Sequence, residues 1–360
     1  MVGRKSIQGF MMGLRKPSGL CLAVPAMAMA FGTASMAQAN LTIMPTFDTT
    51  ISSSSYASTI EGDINNALSF YDNTFTNPIT VNIYFKTSTS GLGASTTAIY
   101  APTYAQYTTG LSNNATAHPT NAVQATSVAN LSFGNDSNGA RSIAASSADL
   151  RALGYIAPGT LNSSGNSGSG AGYVYDGVIT LNKTLLSGWN NPSGGYSPGR
   201  VIQHEVDEVL GIGGTGSQLN VNYAGGSNAN TYYGPMDLFR YASAGVPSYT
   251  TSGTATSYFS INGGTTNIVG FNQNPNQPNN MGDFGDWASS IGTFSSTNNY
   301  VQNAFTSSSQ GAVSVSLTSP EGIALQAIGY DVPVPEASTL ALFGMAMAGL
   351  LLLPRKGRKP

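Results

Sequence analysis

The residues best suited to chemistry lie together in the stretch SPGRVIQHEVDEVLGIGG, residues 197–214. The chain has only two histidines, yet His204 stands within five positions of the acids Glu205, Asp207 and Glu208. On a helix, His204 and Glu208 project from one face because they are four residues apart. An imidazole and a carboxylate at this spacing can bind a divalent metal ion, and Glu205 can act as general base toward an attacking water molecule. A solvated acidic face is the competing interpretation, since a five-residue motif is easily matched by chance.

Local signals predict that this stretch is a helix. Ser197 suits the N-cap, Pro198 suits the first helical position, and the glycines from Gly211 onward stop a helix. We therefore expect a helix over residues 198–211.

The pattern His204-Glu205-x-x-Glu208-x-x-Gly211 resembles the His-Glu-x-x-His-x-x-Gly helix of zincin metallopeptidases. Glu208 stands where that family has its second histidine, and Gly214 stands where the metzincin branch has its third ligand. The resemblance implies that His204 is a zinc ligand and Glu205 the general base. It implies a ligand role for Glu208 if a carboxylate can replace the histidine.

The motif does not supply a third ligand, and Asp237 is the candidate. Asp237 lies among apolar residues in YGPMDLFRY, and a buried acid needs a partner, which is either Arg240 or the metal. The predicted site thus has His204, Glu208 and Asp237 as ligands. Two carboxylates would weaken the Lewis acidity of the centre and relax its preference for zinc, so that manganese or calcium would also fit.

Two further groups deserve comparison with this site. His118, the other histidine, precedes Pro119 in a polar loop, where a solvated side chain is expected more often than a ligand. Asp283 and Asp286 lie in the glycine-containing stretch NNMGDFGDW. This pair could bind calcium, but a turn stabilised by side-chain hydrogen bonds is the favoured interpretation.

The first 39 residues have the pattern of a secretory signal peptide. Four basic residues precede the apolar run 20–34, and Ala37-Gln38-Ala39 predicts cleavage before Asn40. An uncleaved membrane anchor is less favoured because the apolar run is short. Cys21, the only cysteine, lies in this segment, so the mature chain would have no thiol or disulfide.

Residues 332–360 have the pattern of a sorting and anchoring segment. Val334-Pro335-Glu336-Ala337 precedes the apolar stretch 340–353 and a basic tail, which predicts a transmembrane stop-transfer element. The segment resembles the PEP-CTERM signal of exported bacterial proteins, with Ala337 in place of the second proline. The resemblance implies an exosortase-type sorting enzyme as partner, a transient inner-membrane anchor, and export to the cell surface or extracellular matrix.

Charge argues against nucleic acid as a partner. Between residues 40 and 333 the chain has six lysines and arginines against fifteen acidic residues. Phosphate binding requires clustered basic side chains, which this region lacks.

The remaining residues, 40–331, predict one α+β domain. Apolar periodicity and capping signals predict helices over residues 57–71, 102–111, 146–153 and 319–328, and strands near 79–85, 177–182 and 257–262. Residues 87–100 read as a loop. The zincin resemblance implies a twisted sheet packed on the 198–211 helix, with 177–182 as the edge strand beside it. A β-rich sandwich is the alternative fold.

Two functions follow from these patterns. The first is an exported zinc-dependent metallopeptidase, a hydrolase of protein or peptide substrates. The second is a non-catalytic extracellular matrix or adhesion protein with a degenerate zincin-like helix, to which the polar, weakly charged composition is also suited.

Overall fold

A computed structural model describes residues 40–131, 141–190, 195–219, 232–252, 255–273, 283–289 and 299–333. The predicted signal peptide, residues 1–39, and most of the predicted sorting signal, residues 334–360, lie outside this range. In the described parts of the chain, no helix has both the length and the apolar character that a membrane crossing requires.

The described chain is a mixed α+β structure, as predicted. Its seven α-helices are α1 Thr49–Ser52, α2 Ala57–Thr74, α3 Tyr104–Ala117, α4 Ala122–Ala129, α5 Ser147–Ala152, α6 Pro198–Leu210 and α7 Pro320–Ile328. Its twelve strands are β1 Thr42–Phe47, β2 Thr80–Ser88, β3 Gly93–Thr97, β4 Ile99–Tyr100, β5 Ser142–Ile143, β6 Ala145–Ser146, β7 Gly177–Asn182, β8 Tyr232–Tyr233, β9 Arg240–Ser243, β10 Val246–Pro247, β11 Tyr258–Phe259 and β12 Val269–Gly270. Two short 3₁₀ helices span Gly213–Gly216 and Pro235–Phe239. The helices make the β-rich sandwich alternative wrong.

The main sheet has the strand order β1-β2-β7-β3. Strands β1, β2 and β7 are parallel, and β3 is antiparallel to β7. Because a parallel pair needs a crossover, the chain passes through α2 between β1 and β2. The helix buries Ile60, Ile64 and Leu68, which are spaced four residues apart and form one apolar stripe.

The edge strand beside α6 is β3, and the prediction that residues 177–182 form the edge was wrong. Strand β7 is interior, between β2 and β3, and its side chains are almost all buried. Strand β3 lies in the stretch predicted as a loop. Its sequence GASTT has no apolar residue larger than alanine, and none of its residues is fully buried. An edge strand of small polar residues carries no apolar alternation by which it could be detected.

A second, antiparallel sheet has the order β10-β9-β11-β12. Phe259 of β11 stacks on Trp287 with the ring centroids 5.8 Å apart, and Phe271 pairs through its backbone with Trp287. This sheet therefore anchors residues 283–289, which bring Asp283 and Asp286 toward α6. Two smaller pairs, β4 with β6 and β5 with β8, complete the strands.

Helix α6 packs against α2, β3 and β7. Pro198 occupies its first turn as predicted, but the Ser197 side chain makes no capping hydrogen bond. Gly211 ends the helix in the left-handed region, with φ at +113°, and its backbone N–H donates to Asp207 O over 3.0 Å. This sharp end directs the following glycines back toward Glu208.

Candidate metal centre

Helix α6 presents His204 and Glu208 to one side of a cleft. His204 Nδ1 lies 3.0 Å from the Val301 carbonyl oxygen, so Nδ1 carries the proton and Nε2 is left as the acceptor. Nε2 lies 3.7 Å from Glu208 Oε1. A histidine whose other nitrogen donates to a backbone carbonyl is oriented as metal-ligating histidines are.

A third potential ligand comes from the loop that the second sheet anchors. One donor atom each of His204, Glu208 and Asp286 lies within 4.8 Å of the others. Bonds from zinc to nitrogen and oxygen ligands measure about 2.0–2.2 Å, so small side-chain movements would close this group around one ion. Asp283 lies beside these three residues. The position that a Cβ on Gly214 would occupy is 2.8 Å from Asp283 Oδ2 and 2.6 Å from Glu208 Oε1, so the two carboxylates border the same small space.

Asp237, the third ligand predicted from the sequence, is not in this group. Its buried carboxylate accepts hydrogen bonds from the Ser217 hydroxyl over 2.6 Å and from the backbone N–H groups of Gln218 and Gly234 over 3.0 and 2.7 Å. The neighbouring Arg240 guanidinium works against the rise in the pKa of Asp237 that burial causes. Asp237 thus ties the 3₁₀ helix Pro235–Phe239 to the turn after α6.

Glu205 faces the wall of the cleft that β3 forms. A Cβ placed on Gly93 would lie 2.2 Å from Glu205 Oε1 and 2.9 Å from Val201 Cγ1. Only glycine therefore allows the carboxylate to approach the strand this closely. Glu205 stands next to the ligand group without belonging to it, which is where a general base is needed.

Glu208 is held from two directions. The Ser95 hydroxyl of β3 donates to Oε2 over 2.5 Å, and the Gly214 N–H donates to Oε1 over 3.2 Å. The glycine at position 214, where the metzincin resemblance places a ligand, thus supports the carboxylate through its backbone.

Among the described residues, no lysine or arginine forms an ion pair with the acids of this cluster, which are Glu205, Glu208, Asp283 and Asp286. Burial, together with repulsion from neighbouring carboxylates, raises the pKa of Glu205 and Asp286 well above their usual values. Burial also raises the pKa of Glu208, which His204 opposes, and that of Asp283, although Asp283 keeps an exposed side. Clustered carboxylates facing an imidazole nitrogen fit a divalent cation, whose charge would compensate theirs.

Helix α7 stabilises the two segments that pack against α6 at the site, residues 283–289 and residues 299–306. Glu321, which is 1% exposed, accepts hydrogen bonds at Oε1 from Trp287 Nε1 over 3.1 Å and from the Gln302 N–H over 3.0 Å. The backbone N–H of Trp287 also donates to the backbone carbonyl oxygen of Gln302 over 2.8 Å. One buried carboxylate thereby fixes Asp286, adjacent to Trp287, relative to Val301, the partner of His204.

The interpretation of the motif as a solvated acidic face is wrong, because Glu205, Asp207 and Glu208 are 5%, 0% and 8% exposed. Asp207 points away from the cleft and accepts a hydrogen bond from the Tyr71 hydroxyl over 2.7 Å. His118 also lies apart from the site, at the end of α3, with Nδ1 3.2 Å from Asp331 Oδ2.

The cleft has a volume of about 490 Å³. Its walls are residues 91–95 at β3, the side of α6 that carries His204, Glu205 and Glu208, the aspartates Asp283 and Asp286, Val301 and the segment 303–306. Sequence reasoning noted Asp283 and Asp286 without placing them at the histidine. The available signal was the alternation of two acids with two aromatic residues in Asp283-Phe284-Gly285-Asp286-Trp287, where burial of the aromatic side chains holds both aspartates in one short segment.

Comparisons with protein-family models, with curated proteins and with solved structures found no match to this chain.

Proposed function

We propose that this chain is an exported, metal-dependent peptidase with a zincin-like active-site helix. The observation that carries the proposal is the meeting of His204, Glu208 and Asp286 donor atoms within 4.8 Å, with Glu205 alongside. A divalent ion bound there would act as a Lewis acid on the scissile carbonyl and lower the pKa of a water molecule. Glu205 is assigned as the general base that takes the proton from that water.

The ligand assignment differs from the one expected from the sequence by one residue. We propose His204, Glu208 and Asp286 as ligands and assign Asp237 a supporting role. With two carboxylates in the set, zinc is the first candidate and manganese or calcium would also fit, because carboxylate oxygens are ligands that harder cations prefer.

A protein or peptide substrate fits the shape of the site. Strand β3 is an edge of the main sheet and borders the cleft along residues 91–95. An extended peptide could add to that edge through main-chain hydrogen bonds, which would place a peptide carbonyl near Glu205. Small residues in β3 leave room for the side chains of such a peptide.

The export route is proposed from the sequence alone. The signal-peptide pattern of residues 1–39 and the PEP-CTERM resemblance of residues 332–360 support secretion, sorting by an exosortase-type enzyme, and release from the inner membrane to the cell surface or matrix.

Metal analysis combined with a protease assay tests the proposal. We expect the purified protein to hold one divalent ion, His204→Ala and Glu208→Ala to lose it, and Glu205→Gln to keep it while hydrolysis of an unfolded protein substrate falls at least about a hundredfold. His118→Ala is the matched control, since it removes the other histidine and should leave both metal and activity unchanged.

Two outcomes would contradict the proposal. Full activity in Glu205→Gln would contradict the assignment of Glu205 as the general base. A protein that binds metal but hydrolyses nothing would favour the non-catalytic matrix or adhesion function.

A further inference from the structure

Gln302 is a buried glutamine whose amide faces the candidate ligands. Its Nε2 donates to Asp286 Oδ1 over 2.9 Å and lies 3.3 Å from His204 Nε2, which is the acceptor nitrogen of that ring. Both N–H bonds of the amide are therefore directed at groups proposed to bind the metal. The side chain is 0% exposed, and its Oε1 has no hydrogen-bond partner.

The surrounding chain leaves space for this amide and little else. A Cβ placed on Gly213 would lie 2.1 Å from Gln302 Nε2 and 2.5 Å from Cδ, and Gly213 has φ at +63°, where glycine is favoured. Any other residue at position 213 would press on the amide. The turn after α6 is thus shaped around Gln302 as well as around Glu208.

The backbone of Gln302 is fixed on both sides. The backbone N–H of Gln302 donates to Glu321 Oε1 over 3.0 Å, and its backbone carbonyl oxygen accepts from the backbone N–H of Trp287 over 2.8 Å. The terminal amide is the part that can still turn. A half-turn about the Cγ–Cδ bond exchanges nitrogen and oxygen with almost no change in shape.

A cation bound by His204 and Asp286 would face the amide at close range. The amide nitrogen is a donor and cannot ligate a cation, whereas the amide oxygen is an established ligand for hard divalent ions. Either the amide turns its oxygen toward the ion or the side chain leaves. Because Gln302 is buried and its backbone is held, turning requires less rearrangement.

We propose that Gln302 is a fourth protein ligand of the divalent ion, binding through Oε1 after this half-turn. The inference rests on the proposed metal centre and deepens it. With Nε2 toward the cleft, as in the structure, the amide joins the imidazole of His204 to the carboxylate of Asp286 by hydrogen bonds and so preorganises the ligands. In the ligating orientation, a carbonyl oxygen joins two carboxylates and one nitrogen, a set that raises the affinity for manganese relative to zinc.

Titration of the purified full chain with Mn²⁺ alone and with Zn²⁺ alone tests the role of Gln302. We expect Gln302→Leu to weaken Mn²⁺ binding on the order of ten- to a hundredfold and Zn²⁺ binding less, because a hard oxygen ligand is lost. The matched control is Gln273→Leu. It also removes a buried glutamine with two donated hydrogen bonds and an unpaired Oε1, but its amide donates to Thr250 O and Ser257 Oγ and to none of the candidate ligands. Its metal affinities should equal those of the parent.

A second variant keeps the size of the side chain. Gln302→Glu places another carboxylate in the cluster, so we expect a lower melting temperature in chelator and a larger rise on adding Mn²⁺ than the parent shows. This variant decides the matter if Gln302→Leu does not fold. A smaller rise than in the parent would overturn the ligand role.

The outcomes separate this inference from the proposed function. If the parent binds metal and His204→Ala does not, but Gln302→Leu binds Mn²⁺ as tightly as the parent, the ligand role of Gln302 is overturned and the metal centre stands. Tighter binding by Gln302→Leu would overturn it in favour of an obstructing side chain. If neither the parent nor His204→Ala binds metal, the proposed function fails and the inference with it.

Discussion

Asp286 and Asp237 are both buried acids, but their partners give them different roles. Asp237 accepts three hydrogen bonds from Ser217, Gln218 and Gly234, and Arg240 lies close to it. The Asp286 carboxylate accepts hydrogen bonds from the Gln302 amide and from the backbone of Asp283, and repulsion from the carboxylates of Asp283 and Glu208 adds to the rise in its pKa that burial causes. A carboxylate already satisfied by donors stabilises the fold, whereas one surrounded by like charge is suited to bind a cation.

Substituting each acid by asparagine should separate these roles. We expect Asp286→Asn to reduce metal affinity about ten- to a hundredfold while the unfolding free energy in chelator stays equal or rises, because one repelling charge is gone. Asp237→Asn should leave metal affinity unchanged. It should lower the unfolding free energy by about 3 kcal/mol, because three hydrogen-bond donors lose a charged acceptor and Arg240 loses the negative charge beside it. Calorimetric metal titration and urea unfolding measure the two quantities. The reverse assignment, with metal lost only in Asp237→Asn, would restore the ligand predicted from the sequence.

At the scale of elements, the site depends on the close approach of β3 to α6. Gly93 permits this approach, since a Cβ there would overlap Glu205 Oε1 and Val201 Cγ1. Two positions further along the same strand, Ser95 donates to Glu208. A two-residue period places both on the side of β3 that faces the helix.

Gly93→Ala should therefore reduce hydrolysis more than it reduces stability. We expect kcat/KM to fall at least about tenfold, because moving the carboxylate of Glu205 by even 1 Å displaces the proposed base. Gly62→Ala in α2 is the matched control, since nothing lies within 4 Å of its added methyl group. That variant should keep full activity and gain up to about 1 kcal/mol in unfolding free energy. Equal activity in the two variants would show that the approach of β3 is not needed.

Across the whole molecule, acids are also buried away from the cleft. Asp149 is 0% exposed; its Oδ2 accepts a hydrogen bond from the Tyr107 hydroxyl over 2.8 Å, and its Oδ1 has no partner. Burial raises the pKa of Asp149 well above its usual value. In the unfolded chain this group ionises near pH 4, so the folded state holds its proton to higher pH. The stability it contributes is complete below about pH 4 and is lost as pH rises toward its folded pKa.

Asp149→Asn should flatten this pH dependence. Between about pH 5 and pH 8 in chelator, we expect the unfolding free energy of the parent to fall more steeply than that of the variant, by up to ~1.4 kcal/mol per pH unit for one proton. Asp48→Asn is the control of opposite sign. A hydrogen bond from Tyr84 lowers the pKa of Asp48, so its contribution is present at neutral pH and is lost as pH falls below about 4. Identical slopes for the parent and Asp149→Asn would mean that Asp149 is ionised in the folded protein.

Short-range signals in the amino-acid sequence were enough to predict the helix that carries the motif. Helix α6 begins at Pro198 and ends at Gly211 as predicted, because the proline, the glycine and the four-residue spacing act within a few turns of one another. The helices α2, α5 and α7 and the strands β2 and β7 were likewise predicted within a few residues, since each has an apolar period or a cap of its own.

Which residues complete the site depends on long-range contacts in the folded chain. Asp286 and Gln302 reach His204 because the second sheet and Glu321 of α7 hold their loops against α6, and no local pattern records a contact between residues so far apart in the chain. Along the chain, Asp237 and Asp286 have similar surroundings, since both acids have aromatic and apolar neighbours. They differ in what folding brings to them: hydrogen-bond donors around Asp237, and other acids with an imidazole nitrogen around Asp286.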